Sequence, residues 1–169
     1  MVLPDDARQT VVSYLAHQGQ KDVSAIVQPV ERERRRLVDL LGGISEEQAG
    51  FVPSSGGWSV KEVVRHVAGA ERGVTVIIAR LAGAPEPPEE PHAAGRSLAE
   101  LCRVLGEARR QLLEVARRVP QDANLEARHE HPFFGPLNWK EWLAFQRVHD
   151  GDHIAQIEAI EGLSSYPKA

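Results

Sequence analysis

His149 and His153 stand four residues apart in a stretch, Trp139 to Ile157, whose apolar spacing predicts a long helix. Four residues is just over one helical turn, so both imidazoles share one face, one above the other. A third histidine, His66, falls on a similar face of an earlier predicted helix. Three neutral imidazoles converging between helices make a divalent-metal site, leaving the ion its full charge and at least one open position. Such an ion lowers the pKa of a bound water or thiol and polarises an electrophile. The plain alternative is a set of inward histidines, each satisfied by a nearby carboxylate, amide or water. A pair at this spacing often arises by chance. A third histidine on a separate helix strengthens the metal reading without excluding the alternative.

The helices must aim these rings inward for either reading to hold. At about 100° per residue, Trp142, His149, His153, Gln156 and Ile160 share one line, flanked by Phe145 and Ile157, with Arg147, Gly151 and Glu158 opposite. Both histidines are therefore expected on the inward seam. Asp150 and Asp152 lie roughly 80° off that line and are expected at the surface. His66 shares its line with Ala70, Gly73 and Ile77, while Ala68 and Arg72 lie behind. Ala70 and Gly73 are small, which leaves room for an open coordination position or a substrate pocket. Gln156 has no capping role, so it is the candidate to orient His153 or to touch substrate. Glu62 precedes His66 by one turn, but a helix cap already accounts for it. His131 reaches the cluster as a fourth ligand only if its loop folds back along the bundle. His17 and His92 look peripheral, and Cys102 is expected to be a small buried hydrophobe.

The helix starts are marked by capping boxes, in which a small polar side chain and a residue three later satisfy orphan N–H groups reciprocally. Ser59…Glu62 opens a helix to about Leu81, Ser97…Glu100 one to about Val119, and Asn138…Glu141 one to about Glu161, stopped by Gly162. Ser45…Gln48 marks a short extra turn. Leu98, Leu101, Leu105, Ala108, Leu112, Val115 and Val119 step by three and four, the spacing of a bundle seam. Upstream, Val12 and Leu15 belong to one amphipathic piece, and Ile26, Val30, Leu37 and Leu41 to a second that ends at Gly42-Gly43. Pro29 is expected to kink or begin a helix. Two long connections, Gly83 to Arg96 and Pro120 to Leu137, read as loops, and strand signals are nearly absent. Links of that length permit a crossover, so simple alternation of helix directions is not required.

Composition sets the remaining bounds. The chain has 169 residues and is 42% hydrophobic, enough for one domain with a sizeable core. A net charge of −4 gives no reason to expect nucleic acid. In the run Glu31-Arg32-Glu33-Arg34-Arg35-Arg36 acids alternate with arginines, as on a solvated helix face. One cysteine allows no intrachain disulfide, no stretch is apolar enough to cross a membrane, and the N-terminus lacks the pattern of a signal peptide, so the cytoplasm is expected.

Two segments resemble the DinB-like superfamily. Trp58-Ser59-Val60-Lys61-Glu62-Val63-Val64-Arg65-His66-Val67-Ala68-Gly69-Ala70-Glu71 is similar to its second-helix motif. His131-Pro132-Phe133-Phe134-Gly135-Pro136-Leu137, followed by the His149/His153 helix, is similar to its last-helix motif. The similarity covers roughly Ile26 to Gly162, so residues 1–169 are read as one domain with an extra N-terminal helical segment, Met1 to about Val23. The resemblance implies an all-α four-helix bundle of up-down-down-up order. It implies a divalent metal (zinc, nickel, iron or copper all suit three nitrogens) held by His66, His149 and His153. It also implies a homodimer acting on a small-molecule thiol or an electrophilic substrate, since relatives include bacillithiol S-transferases and mycothiol-dependent isomerases. Others in the family are described only as metal-dependent hydrolases. A non-catalytic stress-related or interaction bundle with a structural or vestigial metal site is the alternative.

Overall fold

Four short polar side chains start four of the helices. Ser45, Ser59, Ser97 and Asn138 each accept a hydrogen bond from the backbone N–H three residues on. Gln48, Glu62, Glu100 and Glu141 accept one back from the cap residue's own N–H. The computed structural model describes residues 4–53, 56–88, 96–120 and 122–168, so His92 and much of the proline-rich linker lie outside the described residues. The elements run α1 (Asp5–Gly19), α2 (Val23–Gly42), α3 (Glu46–Gly50), α4 (Val60–Ala82), α5 (Leu98–Arg118), β1 (His129–His131), β2 (Gly135–Leu137) and α6 (Trp139–Glu161). Gly83, at φ 67°, closes α4 in the left-handed conformation that glycine adopts without a Cβ clash. Pro29 lies inside α2, which runs through it, rather than at a boundary.

The order of the helices follows from two apolar clusters stacked end to end. One holds Ile26, Val30, Ile78, Leu112 and Leu143, and the other Leu37, Val63, Leu101, Leu105 and Ile157. α2 passes from the first cluster to the second, α4 and α5 pass from the second to the first, and α6 returns like α2. This is an up-down-down-up bundle, as expected. Glu46 on α3 ties the two parallel helices at their common end: it pairs with Lys61 of α4 and accepts the Leu98 N–H of α5 at 2.9 Å. α4 packs on both α5 and α6, and α6 packs also on α2 and α1. The N-terminal helix α1 seals the first cluster with fully buried Leu15.

Between the clusters lies a layer of buried charge. Arg34, Glu71, Arg109 and Asp150, one from each of the four bundle helices, are 5%, 0%, 6% and 0% exposed. Two sequence expectations fail here. The Glu31–Arg36 run is not simply a solvated face, since Glu33 and Arg34 are buried, and Asp150 is not a surface residue. A third correction concerns the connection before α6. Residues 129–137 form a two-stranded antiparallel hairpin, with His131 opposite Gly135, rather than a loop. Its strands are three residues each, too short for the alternation by which a strand is recognised.

Candidate metal centre

His66 projects from α4, and His149 and His153 from α6, where those two helices pack together. Each offers one ring nitrogen that could hold a metal, and these nitrogens all lie within 4.8 Å of one another. His149 Nε2 is 3.3 Å from His66 Nε2 and 3.3 Å from His153 Nε2. Two nitrogens, each about 2.05 Å from one ion and separated by the tetrahedral angle, stand about 3.3 Å apart. The two separations from His149 match a tetrahedral ion, and the His66–His153 pair lies within 4.8 Å.

The tautomers agree with ligation. Gln156 Oε1 accepts a hydrogen bond from His153 Nδ1 at 2.7 Å. That places the proton on Nδ1 and leaves the Nε2 lone pair toward the cluster. Burial pushes His149 down to about 3, helped by positive charge on His153, His66, Arg34 and His131. Burial, and then His153, also lower His66. Both therefore favour the neutral, ligating form. The plain alternative predicts a carboxylate, amide or water partner for each ring. His153 has its amide, yet His66 and His149 Nε2 face ring nitrogens rather than a carboxylate. Trp58 packs on His66 at 5.0 Å and Phe145 on His149 at 5.6 Å between ring centroids.

The site is less deep than the expected inward seam. His66 is exposed, and His149 and His153 are half-buried. On α6 the buried stripe runs through Leu143, Gln146, Asp150, Ile154 and Ile157, about 80° round from the histidine line. Trp142 and Ile160 are buried at the edge of that stripe, and they drew the inferred seam toward the histidines. On α4 the buried face is Val60, Val63, Val64, Val67, Ala68, Glu71, Val74, Thr75 and Ile78, so Ala68 faces in rather than behind. The three imidazoles occupy the rim of the α4–α6 interface, open to solvent on one side.

Other candidates fall into place around them. Glu62 is engaged in the cap, accepting from Ser59 N–H at 2.8 Å and Ser59 Oγ–H at 2.7 Å. Ala70 is half-buried and Gly73 exposed, with open space where a Cβ would stand. The hairpin does fold back on α6, but it brings His131 into an aromatic box rather than to the cluster. His131 stacks on Phe134 at 4.7 Å and meets Phe145 at 4.4 Å and Trp142 at 5.0 Å. Its Nδ1 accepts the Phe133 N–H at 3.2 Å, and burial lowers its pKa to about 4. Phe145 thus stands between His131 and His149. His17 is exposed, and Cys102 is half-buried at the edge of the second cluster, its thiol pushed up by burial. Asp152 is exposed, as expected.

Residues 30–157, which carry all three histidines, match the family model of the DinB superfamily. The chain belongs to the DinB superfamily. Among solved structures, the crystal structure of TT2238, described as a four-helix bundle protein, aligns with a TM-score of 0.66 and 25% identity, covering 82% of this chain and 99% of that one. No curated protein matches the chain. This DinB-superfamily bundle thus pairs the family's fold with a three-histidine cluster that could hold a metal, and no helix among the described residues is long and apolar enough to cross a membrane.

Sequence reasoning missed Glu71 and Arg109. The signal was present: each of the four buried charges stands on the buried face of its helix, three of them between apolar residues. Arg34 falls between Val30 and Leu37, Glu71 between Ala68 and Val74, Arg109 between Leu105 and Leu112, and Asp150 between Gln146 and Ile154. Charge on the seam of every helix of a bundle is worth reading as one cluster.

Proposed function

We propose that this protein is a metal-dependent enzyme that binds one divalent ion through His66, His149 and His153 and acts on a small electrophile with a thiol or water as the attacking group. The convergence of three imidazoles on a solvent-open rim carries the reading, with His149 Nε2 3.3 Å from both His66 Nε2 and His153 Nε2 and all three within 4.8 Å. A divalent ion held there supplies Lewis acidity, lowering the pKa of a thiol or water and polarising an electrophile. The histidines bring no negative charge, so they do not offset that acidity as carboxylate ligands do. Gln156 holds the His153 ring in its ligating tautomer. Burial keeps His149 neutral and ready to ligate. The exposed edge of His66 leaves a path for substrate, and Trp58, itself 43% exposed, flanks that path with an apolar face. A purely structural ion is ordinarily closed by four protein ligands, so three ligands on an open rim favour chemistry over scaffolding.

The test has two parts. Replacing His149 or His153 with Ala is expected to abolish bound metal measured by elemental analysis, and unchanged stoichiometry defeats the ligand assignment. Metal-loaded protein is then mixed with a low-molecular-weight thiol and a chromogenic aryl halide or ester. Turnover that disappears with chelator and in the His149→Ala variant is expected, and no turnover across a panel of thiols and electrophiles, with metal bound, favours a non-catalytic bundle.

A further inference from the structure

The buried charges are wired across the two helices that carry the histidines. Arg34 Nε and Nη2 bond Asp150 Oδ2 and Oδ1 at 3.0 and 2.8 Å, while Nη1 bonds Glu71 Oε2 at 2.8 Å and the Leu105 carbonyl at 3.3 Å. Arg109 meets the same two carboxylates from the other side, Glu71 as an ion pair and Asp150 through a hydrogen bond. Its Nε lies 2.6 Å from Glu71 Oε1, its Nη2 2.9 Å from Asp150 Oδ2, and its Nη1 3.1 Å from the Val30 carbonyl. Two guanidinium groups therefore each span both carboxylates, and the four charges sum to zero. Glu71 sits five residues after His66 on α4, and Asp150 directly follows His149 on α6. Every arginine bridge is thus a strut between the helix that holds one ligand and the helix that holds the other two.

Apolar packing alone specifies such an interface loosely, because side chains of similar volume allow a helix to slide or rotate by a fraction of a turn. A planar fork bonded at both ends fixes distance and rotation together. We infer that the Arg34–Glu71–Arg109–Asp150 quartet is the positioning device of the histidine cluster, setting the α4–α6 register that brings the three Nε2 atoms to ligating distance. This rests on the metal reading above. Buried ion networks contribute little net stability against apolar replacements and are better attested as devices of register. Here the register they set is that of a site at the adjoining rim.

The test separates register from stability. Arg34→Lys keeps the layer neutral but gives a single ammonium that cannot fork to both carboxylates, and Glu71→Gln keeps shape while removing one charge. Leu101→Ala, fully buried two turns from Arg109 on a helix without ligands, serves as the destabilised control. Each metal-free protein is titrated with Co²⁺ against a competing chelator, and its visible d–d absorption is recorded. Arg34→Lys and Glu71→Gln are expected to stay helical, to bind Co²⁺ at least about tenfold more weakly, and to show a shifted band, as loss of outer-shell support does elsewhere. Leu101→Ala is expected to melt earlier with affinity and band unchanged. Wild-type affinity and spectrum in whichever of the two variants folds overturns the inference, as does a control that loses affinity equally. A wild-type chain that takes up no Co²⁺, or a His149→Ala variant that takes up as much, sinks the metal reading instead.

Discussion

Gln156 makes one contact toward the cluster, and its effect can be worked out from that contact. Its Oε1 accepts the His153 Nδ1 proton at 2.7 Å, short enough to be a strong neutral hydrogen bond. Gln156→Leu removes the acceptor, so the ring is free to rotate and to place its proton on either nitrogen. Loss of such a partner lowers metal affinity by about 10–100-fold, equivalent to roughly 1.4–2.8 kcal/mol. Gln156→Glu should act oppositely, because a carboxylate is the stronger acceptor and raises the donating power of the ring's other nitrogen. The residue is half-buried, so neither change should move the melting temperature of metal-free protein by more than a degree or two. Zinc affinity is measured by competition with a fluorescent chelator, with the order Glu tighter than Gln tighter than Leu expected. Three affinities within twofold of one another would refute the tautomer argument. A Leu variant that binds more weakly only because it unfolds would be exposed by its melting curve.

Other perturbations follow from the same structure. Asp150→Ala strands the Nε and Nη2 donors of Arg34 and the Nη2 of Arg109, and should cost about 3–5 kcal/mol of unfolding free energy in urea, whereas exposed Asp152→Ala should cost less than about 0.5. Asn138→Ala removes the acceptor of the Lys140 and Glu141 N–H groups, both at 3.0 Å, and should cost about 1–2 kcal/mol in the same assay. His131 is held neutral in its aromatic box, with a pKa lowered from 6.5 to about 4. Its contribution is therefore fully present above the unfolded value and is lost as pH falls toward the folded one. Between about pH 7 and about pH 4.5 that loss amounts to roughly 2.5 kcal/mol, so His131→Phe in metal-free protein should flatten the fall in stability by about that amount. An equal fall in both proteins would mean that His131 is not shielded.

Much of this protein is written in local sequence. The capping boxes at Ser45, Ser59, Ser97 and Asn138 are satisfied by groups within three residues, so the starts of α3, α4, α5 and α6 needed no tertiary information. The four-residue spacing of His149 and His153 likewise fixes two rings on one helix face whatever surrounds it. Which way that face points is not local. The line through Trp142, His149 and Ile160 resembles a core face because it is apolar at both ends, yet packing against α2 and α4 buries a stripe about 80° away, centred on Asp150. An aspartate in a core is costly unless it is paired, and its partners, Arg34 and Arg109, lie 116 and 41 residues away in the sequence. The hairpin is not legible in the sequence because its pairing is a relation between two three-residue segments rather than a pattern within either. The sequence by itself therefore determined the helices, their starts and the ligand-type residues. Only the tertiary structure decided that the three imidazoles meet at a solvent-open rim, because the distance between α4 and α6 is set by charges and side chains brought together from all four helices.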